Sequence, residues 1–418
     1  MSMIANINTD CECLPLARAD IDRRLGQCGL SKQVDDLLKG RENIFAQTPV
    51  FVSNDDHAAM LSTIDAIEAL THLQPFQDSV LARAGIKLPV EKTHGLILGY
   101  DFHLSDEGPR LIEVNTNAGG AFIVSKLLHA VGSDFTCCYE SKIYGAKPNE
   151  QSIDAFLVSM FGHEFKLGGG TALKTLAIID EDPAEQYLYP DMLIAKSLLE
   201  KNGINVLIAD PGEVIAKQGG LYVGEQKIDM IYNRLTDFML EDPRHQHIKA
   251  AYECRQVVLS PAPFHHALFA DKRNLILFGD DQELSGFGLN PQHRAALNSV
   301  PKTVALEPGN ADELWTQRKV LFFKPRDGFG SRAAYRGRKI TTKVWGQISG
   351  GSHVAQEFVP PSLRVVTIAD GAVKLKFDLR IYTFGGQAFA MAARVYQGQT
   401  TNFRTRGGGF APVILINN

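Results

Sequence analysis

Apolar residues recur at helical spacing over residues 16–47 and 55–85, and the pattern then shortens into compact apolar runs of the kind that form strands. HGLILGYDF (94–102) and the segment 110–115 predict two strands around the turn LSDEGP, a hairpin, and AFIVSKLLHAV after Gly119-Gly120 predicts a helix. From residue 173 the pattern changes. LKTLAIID, INVLIAD and KIDMIYNR read as strands, with a helix over YPDMLIAKSLLEKNG stopping at Gly203. Strand, helix, strand in that order predicts a small parallel α/β unit. Gly168-Gly169-Gly170 precedes a strand, whereas a phosphate loop follows one, so it reads as a linker. Residues 245–297 read as largely helical. Residues 319–418 are strand-rich, with VLFFKP, HVAQEFV, LRVVTIAD, AVKLKFDLRIYTF and AFAMAARVY in succession.

The chain has 418 residues, 44% hydrophobic and 22% charged, enough for a substantial core divided into two or three parts. Its formal charge of -4 gives no global signal for nucleic acid or an anionic membrane, so any positive site must be local. No apolar stretch reaches the roughly 20 residues that span a bilayer, and MSMIANINTDCECLP lacks the basic start and apolar core of a signal peptide, which predicts a cytoplasmic protein. The six cysteines form no CxxC pair, so reduced thiols are expected. Cys11-Glu12-Cys13 could bind a soft metal, but an exposed N-terminal segment explains it as well.

The stretch LIEVNTNAGG interrupts an apolar strand with Glu113 and Asn115. Residues two apart share a face, so a carboxylate and a carboxamide stand side by side. Asp101, across the hairpin, can aim at the same point. Oxygen-only ligands of this kind suit Mg²⁺, which completes its shell with nucleotide phosphates. A buried polar cluster closed by its own hydrogen bonds is the alternative.

In VLFFKPRDGFGSRAAYRG an apolar strand delivers Lys324 to a loop in which Gly328, Gly330 and Ser331 let backbone amides approach an anion. A glycine-containing hairpin with an incidental lysine has the same pattern. HVAQEFVPPS ends a strand at Gln356 and Glu357. It could be a hinge that meets an adenine edge, with Glu357 reaching the ribose, or a surface glutamate before a proline turn. KFDLRIYTF puts Asp378 and Arg380 on one strand face and the next strand carries Arg394; a phosphate contact and a cross-strand ion pair are equally open. NFRTRGGGFAPV adds Arg404 and Arg406 before three glycines that include Gly408 and Gly409. Clustered arginine forks favour an anion pocket.

Together these residues resemble the ATP-grasp superfamily, in which ATP lies between two α+β subdomains. The order, with Glu-x-Asn some two hundred residues ahead of the phosphate lysine, is similar to the circularly permuted form typified by eukaryotic-type glutathione synthetases, and the likeness extends across most of the chain. YDFHLSDEGPRLIEVNTNAGGAF matches that family's metal-binding hairpin, which implies Glu113 and Asn115 as Mg²⁺ ligands and Asp101 as an additional or supporting one. Tyr232-Asn233-Arg234 matches its substrate-binding strand end. Lys272 in FADKRNL matches its first ATP lysine, on a helix. KPRDGFGSRA matches its lid, with Lys324 on phosphate and Asp327 as a metal ligand. Arg404-Thr405-Arg406 and GGGFAPV match its late substrate and nucleotide loop. DGFG replaces an uninterrupted glycine triad, Asp327 is shorter than the family's Glu, and Arg406 replaces its Lys.

The resemblance implies an α+β and α/β chain: a permuted ATP-grasp core with an inserted parallel α/β substrate domain. The expected division is 1–165 for the helical segment and metal-binding part, 171–265 for the substrate domain, and 266–418 for the nucleotide and lid region. It further implies an ATP- and Mg²⁺-dependent joining of a small carboxylate to an amine, such as an amino acid or short peptide, through an acylphosphate. Nucleotide contacts would come from Lys272, Lys324, Gly328, Gly330, Ser331, Gln356, Glu357, Asp378 and Arg406. Substrate contacts would come from Tyr232, Arg234, Arg404, Gly408 and Gly409, with Arg234, Arg380 and Arg394 stabilising the reacting centre. Loops 327–337 and 404–411 would close over it. No nucleic acid or membrane partner is expected, and a homodimer is compatible with the family. Two other readings stay open: a nucleotide-binding sensor or scaffold without ligase activity, and a ligase for a different amine such as a polyamine.

Overall fold

The computed structural model describes residues 3–10, 18–87, 91–132, 141–143, 152–217, 219–326, 328, 333–368 and 371–417. Its centre is an eight-stranded sheet drawn from both ends of the chain. Six strands run in the order Val50–Ser53, Gly409–Ile416, Gln387–Tyr396, Gly371–Phe384, Leu98–Ser105 and Gly108–Asn115. Ser362–Ile368 pairs with Gly371–Phe384 and Ser141–Ile143 with Gly409–Ile416. All pairings are antiparallel except that of Val50–Ser53 with Gly409–Ile416.

Both faces of this sheet are covered, and the alternation of side chains assigns each residue to a face. Leu98, Tyr100, Phe102, Leu379, Ile381, Met391 and Ala393 pack into one core beneath the helices Asn54–Thr71 and Gln74–Ala84. Tyr382, Ala390, Ala392 and Phe410 face the other way, into a core with the helices Ala121–Val131 and Ile153–Leu167. Gly120 begins the first of these at φ 94°, and the Phe410 ring occupies the space where its Cβ would stand. The hairpin forms as predicted, with strands Leu98–Ser105 and Gly108–Asn115 meeting at a tight turn. It also holds a feature the pattern did not indicate. The register shifts between Asp101 and Phe102, so that Asp101 pairs Glu113 and Phe102 pairs Leu111, leaving Ile112 as an extra, bulged residue.

A separate parallel sheet, in the order Val258–Ser260, Met230–Asn233, Thr175–Ile179 and Asn205–Ala209, confirms the expected α/β unit. Its edge strand Val258–Ser260 falls in the stretch expected to be helical; three residues are too few to carry a readable period. The Gly168–Gly170 amides donate back to Glu164, Lys166 and Phe165 carbonyls, so this triplet ends the helix Ile153–Leu167. A third, antiparallel sheet has the order Thr303–Leu306, His353–Glu357, Leu321–Pro325 and Tyr335–Arg336. Among the described residues no helix is long and apolar enough to cross a membrane, and Cys28 and Cys254 are free thiols. Cys11, Cys13, Cys137 and Cys138 lie outside the described residues.

Among the described residues, the core under the large sheet encloses the carboxyl of Glu68 without a basic partner bonded to it. Glu68 is 7% exposed and accepts a hydrogen bond from the Tyr100 hydroxyl at 2.9 Å; burial pushes its carboxyl up to about 7, against the pull of Tyr100. Between pH 4.5 and 7 the folded chain therefore holds a proton that the unfolded chain has released, and stability falls as pH rises through that window. Glu68→Gln removes this slope. Its melting temperature relative to the unaltered protein is expected to rise between pH 5 and pH 8, by the equivalent of up to about 3 kcal/mol; a difference independent of pH would contradict the assignment.

Candidate active site

The hydrophobic side of the hairpin strands is continuous, but the opposite side changes character along its length. Where helix Ala121–Val131 covers it, the residues are Gly99, Tyr382, Ala390 and Ala392; further along stand Asp101, Asp378, Arg380 and Arg394, all on the same face. Register brings them together, since Asp101 lies opposite Arg380 and Asp378 opposite Arg394. Arg380 binds Asp101 through two nitrogens at 2.7 Å each, and Arg394 binds Asp101 at 2.8 Å and Asp378 at 2.6 Å. Gly99 leaves room for this: a Cβ there would stand 3.2 Å from Arg380 Nε. Thr401 donates to the second oxygen of Asp378. Burial alone would raise the Asp101 carboxyl, but the two guanidiniums outweigh it and hold it below the usual carboxylate range.

The cross-strand ion pairs left open by the sequence are thus formed, and both Asp101 oxygens are engaged. Asn115 adds a fourth bond by donating Nδ2 to Asp101 at 3.0 Å, which turns its amide oxygen away from that carboxylate. Asp101 acts as the holder of the two arginines and of Asn115, while Glu113 makes no such bond. Its nearest charged neighbour is Lys272, 3.8 Å away. Burial would raise Glu113, but Lys272 and then Lys324 bring it below its ordinary value.

Lys324 reaches this point from the third sheet. Its ammonium is buried and donates to the Ile112 carbonyl at 2.7 Å and to Gln356 Oε1 at 2.8 Å. The bulge at Ile112 explains the first bond, because an extra residue leaves a carbonyl outside the strand ladder. Burial lowers Lys324 to about 8 despite the attraction of Glu113. Lys272 is not helical, contrary to expectation. It sits in the turn between the π-helical His266–Ala270 and the helix Asn274–Phe278, where its ammonium donates to the Gly328 carbonyl at 2.7 Å.

A cleft between the large sheet and the third sheet joins these groups. It is lined by Asp101, Glu113, Asn115, Lys272, Lys324, Gly328, Gln356, Glu357, Asp378 and Arg394 among the predicted residues. Glu357 is exposed at its rim, whereas Gln356 is buried and bound to Lys324. His103, Phe322, Phe358, Val359 and Thr401 also line it and were not anticipated. Two of them had a readable signal: His103 lies two residues beyond Asp101 and Phe322 two before Lys324, each on its partner's face. Asp327, Gly330 and Ser331 lie outside the described residues.

Tyr232 and Arg234 form a second cluster at the end of the parallel strand Met230–Asn233. Arg234 stacks over the Tyr232 ring, its carbon 5.6 Å from the centroid, and donates to the Tyr232 hydroxyl at 3.3 Å and the Asn117 carbonyl at 3.4 Å. Asp180, at the end of the neighbouring strand, is pushed up to about 6 by burial against the pull of Arg234. Arg404 and Arg406 are exposed and do not line the cleft. Gly408 and Gly409 serve close packing: a Cβ on Gly409 would stand 2.6 Å from the Ile44 carbonyl carbon, and one on Gly408 would meet the Val395 carbonyl oxygen. Arg380 lies beneath the cleft, while Arg394 reaches it.

The large sheet, the parallel sheet and the third sheet, with the cleft between the first and the last, make a mixed α/β fold. The chain shares its overall fold with a glutathione synthetase-like effector from Globodera pallida, at 15% identity over 97% of this chain and 100% of that one, with a TM-score of 0.53. Other solved structures similar to parts of it are a putative gamma-glutamylcysteine synthetase from Methylobacillus flagellatus and the ATP-grasp ligase PsnB complexed with minimal precursor, Mg and ADP. The first is 10% identical, covering 84% of this chain and 86% of that one, with a TM-score of 0.47. The second is 14% identical, covering 57% and 87%, with a TM-score of 0.29. No family model matches the chain, and no curated protein matches it in sequence.

Removing the Asp101 carboxylate leaves two buried guanidiniums without their shared partner. Asp101→Ala is expected to lose about 3–5 kcal/mol in chemical denaturation; a loss below about 1 kcal/mol would show that the network is not what joins these strands.

Proposed function

We propose that the chain is an ATP-dependent ligase that joins a small carboxylate to an amine, with nucleotide bound in the cleft between the large and third sheets. The observation that carries this reading is the placement of Glu113 3.8 Å from the Lys272 ammonium, in a cleft between two sheets that Asn115 and Lys324 also line. Two oxygen donors alone hold a divalent cation weakly. A carboxylate and an amide oxygen are hard donors, too few to fill the shell of Mg²⁺, so the pair fits an ion that takes its remaining ligands from phosphate oxygens and water. Mg²⁺ bound there would neutralise phosphate charge and fix the orientation of the nucleotide.

Lys272 and Lys324 would bind the phosphates, and Arg394, held by Asp101 and Asp378, would face the charge that develops during transfer. A substrate carboxylate oxygen attacks the γ-phosphorus and ADP leaves. The amine nitrogen then bonds to the acyl carbon, phosphate departs with the former carboxylate oxygen, and the amine proton passes to solvent. Arg234 and Tyr232, at the end of the parallel sheet, would bind the substrate carboxylate end. Arg404 would join them from its exposed loop, Arg406 beside it would bind the nucleotide, and Asp327 would complete the metal end of the site. The whole order, with Glu113-x-Asn115 ahead of Lys272 and Lys324 and a parallel domain between them, reads as a circularly permuted core with an insertion. In this division 1–165 and 266–418 share the large sheet and 171–265 forms the substrate domain.

Glu113→Ala is expected to abolish Mg²⁺-dependent ADP formation while leaving the melting temperature nearly unchanged, because Glu113 makes no close bond within the fold. The assay pairs carboxylates and amines, beginning with γ-glutamylcysteine and glycine. Equal ADP release by variant and unaltered protein with an active pair would refute the assignment.

A further inference from the structure

Resting on the nucleotide reading above, we propose that His103 selects the nucleoside: its Nε2 accepts a hydrogen bond from an N–H or O–H of the base or ribose. His103 follows Asp101 by two residues on the strand Leu98–Ser105, so it faces the same cleft, which it lines. Its Nδ1 stands 2.9 Å from the Val359 carbonyl oxygen. A carbonyl can only accept, so the ring hydrogen is on Nδ1, and in the neutral ring Nε2 carries a lone pair. No residue among those described bonds that nitrogen, and it is not sealed from the cleft.

The surroundings specify what would meet this lone pair. Val359 lies two residues beyond Glu357 at the end of the third sheet, and Phe322 and Phe358 line the cleft there, stacked on each other with centroids 6.3 Å apart and with the Arg336 guanidinium 4.3 Å from the Phe358 centroid. An aromatic wall beside a fixed acceptor suits the edge of a purine. Adenine presents an exocyclic amine donor, whereas guanine presents a carbonyl oxygen whose lone pairs would oppose Nε2. A ribose hydroxyl is the other donor of the same chemistry. Gln356, which also lines the cleft, is committed to Lys324 and to Thr303.

Calorimetric titration of the whole chain with Mg²⁺ and ATP, GTP, 2′-deoxy-ATP or 3′-deoxy-ATP tests this, using the unaltered protein, His103→Phe and His103→Asn. The unaltered protein is expected to bind ATP at least about tenfold more tightly than GTP, the equivalent of one well-placed hydrogen bond. His103→Phe should reduce that ratio to about twofold or less. His103→Asn, whose amide can donate to Val359 and accept from the ligand, should keep most of it. If the donor is a ribose hydroxyl, the tenfold loss appears instead with one deoxy-ATP and disappears in His103→Phe. Unchanged ratios in His103→Phe for all four nucleotides would overturn the role of His103 alone. Failure of the unaltered protein to bind any of them would overturn the ligase reading and this one with it.

Discussion

The buried carboxylate of Asp101 is the constraint on which the site is built. One side chain binds Arg380, Arg394 and Asn115, and so joins three adjacent strands and the far edge of the hairpin at a single point. Each arginine is too buried to stand without a counter-charge, and the pair needs two carboxylates, Asp101 and Asp378, to be neutral. Once those four charges cancel, what remains at the cleft wall is Glu113 facing Lys272 and Lys324, with Glu357 at the rim. The two ammoniums and the two carboxylates balance, so the cleft has no excess of either sign and its positive charge is concentrated where Lys272 and Lys324 approach Glu113.

The same sheet serves as core and as site because one of its faces is divided. Helix Ala121–Val131 covers the end bearing Tyr382, Ala390 and Ala392, where the two small alanine side chains leave room for the helix. The polar end is covered by the third sheet, which contributes Lys324 from a strand otherwise packed into its own core through Leu321 and Phe323. Lys324 is tied to the large sheet through the Ile112 carbonyl, so the bulge in the hairpin is also the contact by which the two sheets are held in register. Movement of the third sheet would break that bond and uncover the cleft.

Much of this was legible in the sequence, for reasons that differ from residue to residue. Glu113 and Asn115 stood out because strand alternation made two polar groups share a face in an apolar run, and Lys324 because an apolar strand ended in a lysine and a glycine loop. Arg380 and Arg394 were visible as charges, but whether they met phosphate or carboxylate depended on register, which strand patterns do not specify. The bulge at Ile112 was invisible, since one extra residue leaves the composition of the strand unaltered. Lys272 was placed on a helix because the family it resembles carries its first ATP lysine there and 245–297 read as largely helical; it sits instead in the turn that follows the π-helical stretch His266–Ala270. Val258–Ser260 was too short to detect. His103 had the right spacing, two residues from Asp101, but a lone histidine carries little weight until Val359 is seen to fix its ring.

The metal assignment is tested most directly by a crystal structure of the chain with Mn²⁺ and a non-hydrolysable ATP analogue, in which manganese is located by its anomalous scattering. A peak at about 2.1–2.2 Å from a Glu113 carboxylate oxygen and the Asn115 amide oxygen, bridged to phosphate, is the expected result. Manganese bound elsewhere in the cleft, or on Asp101 with its arginines displaced, would contradict it.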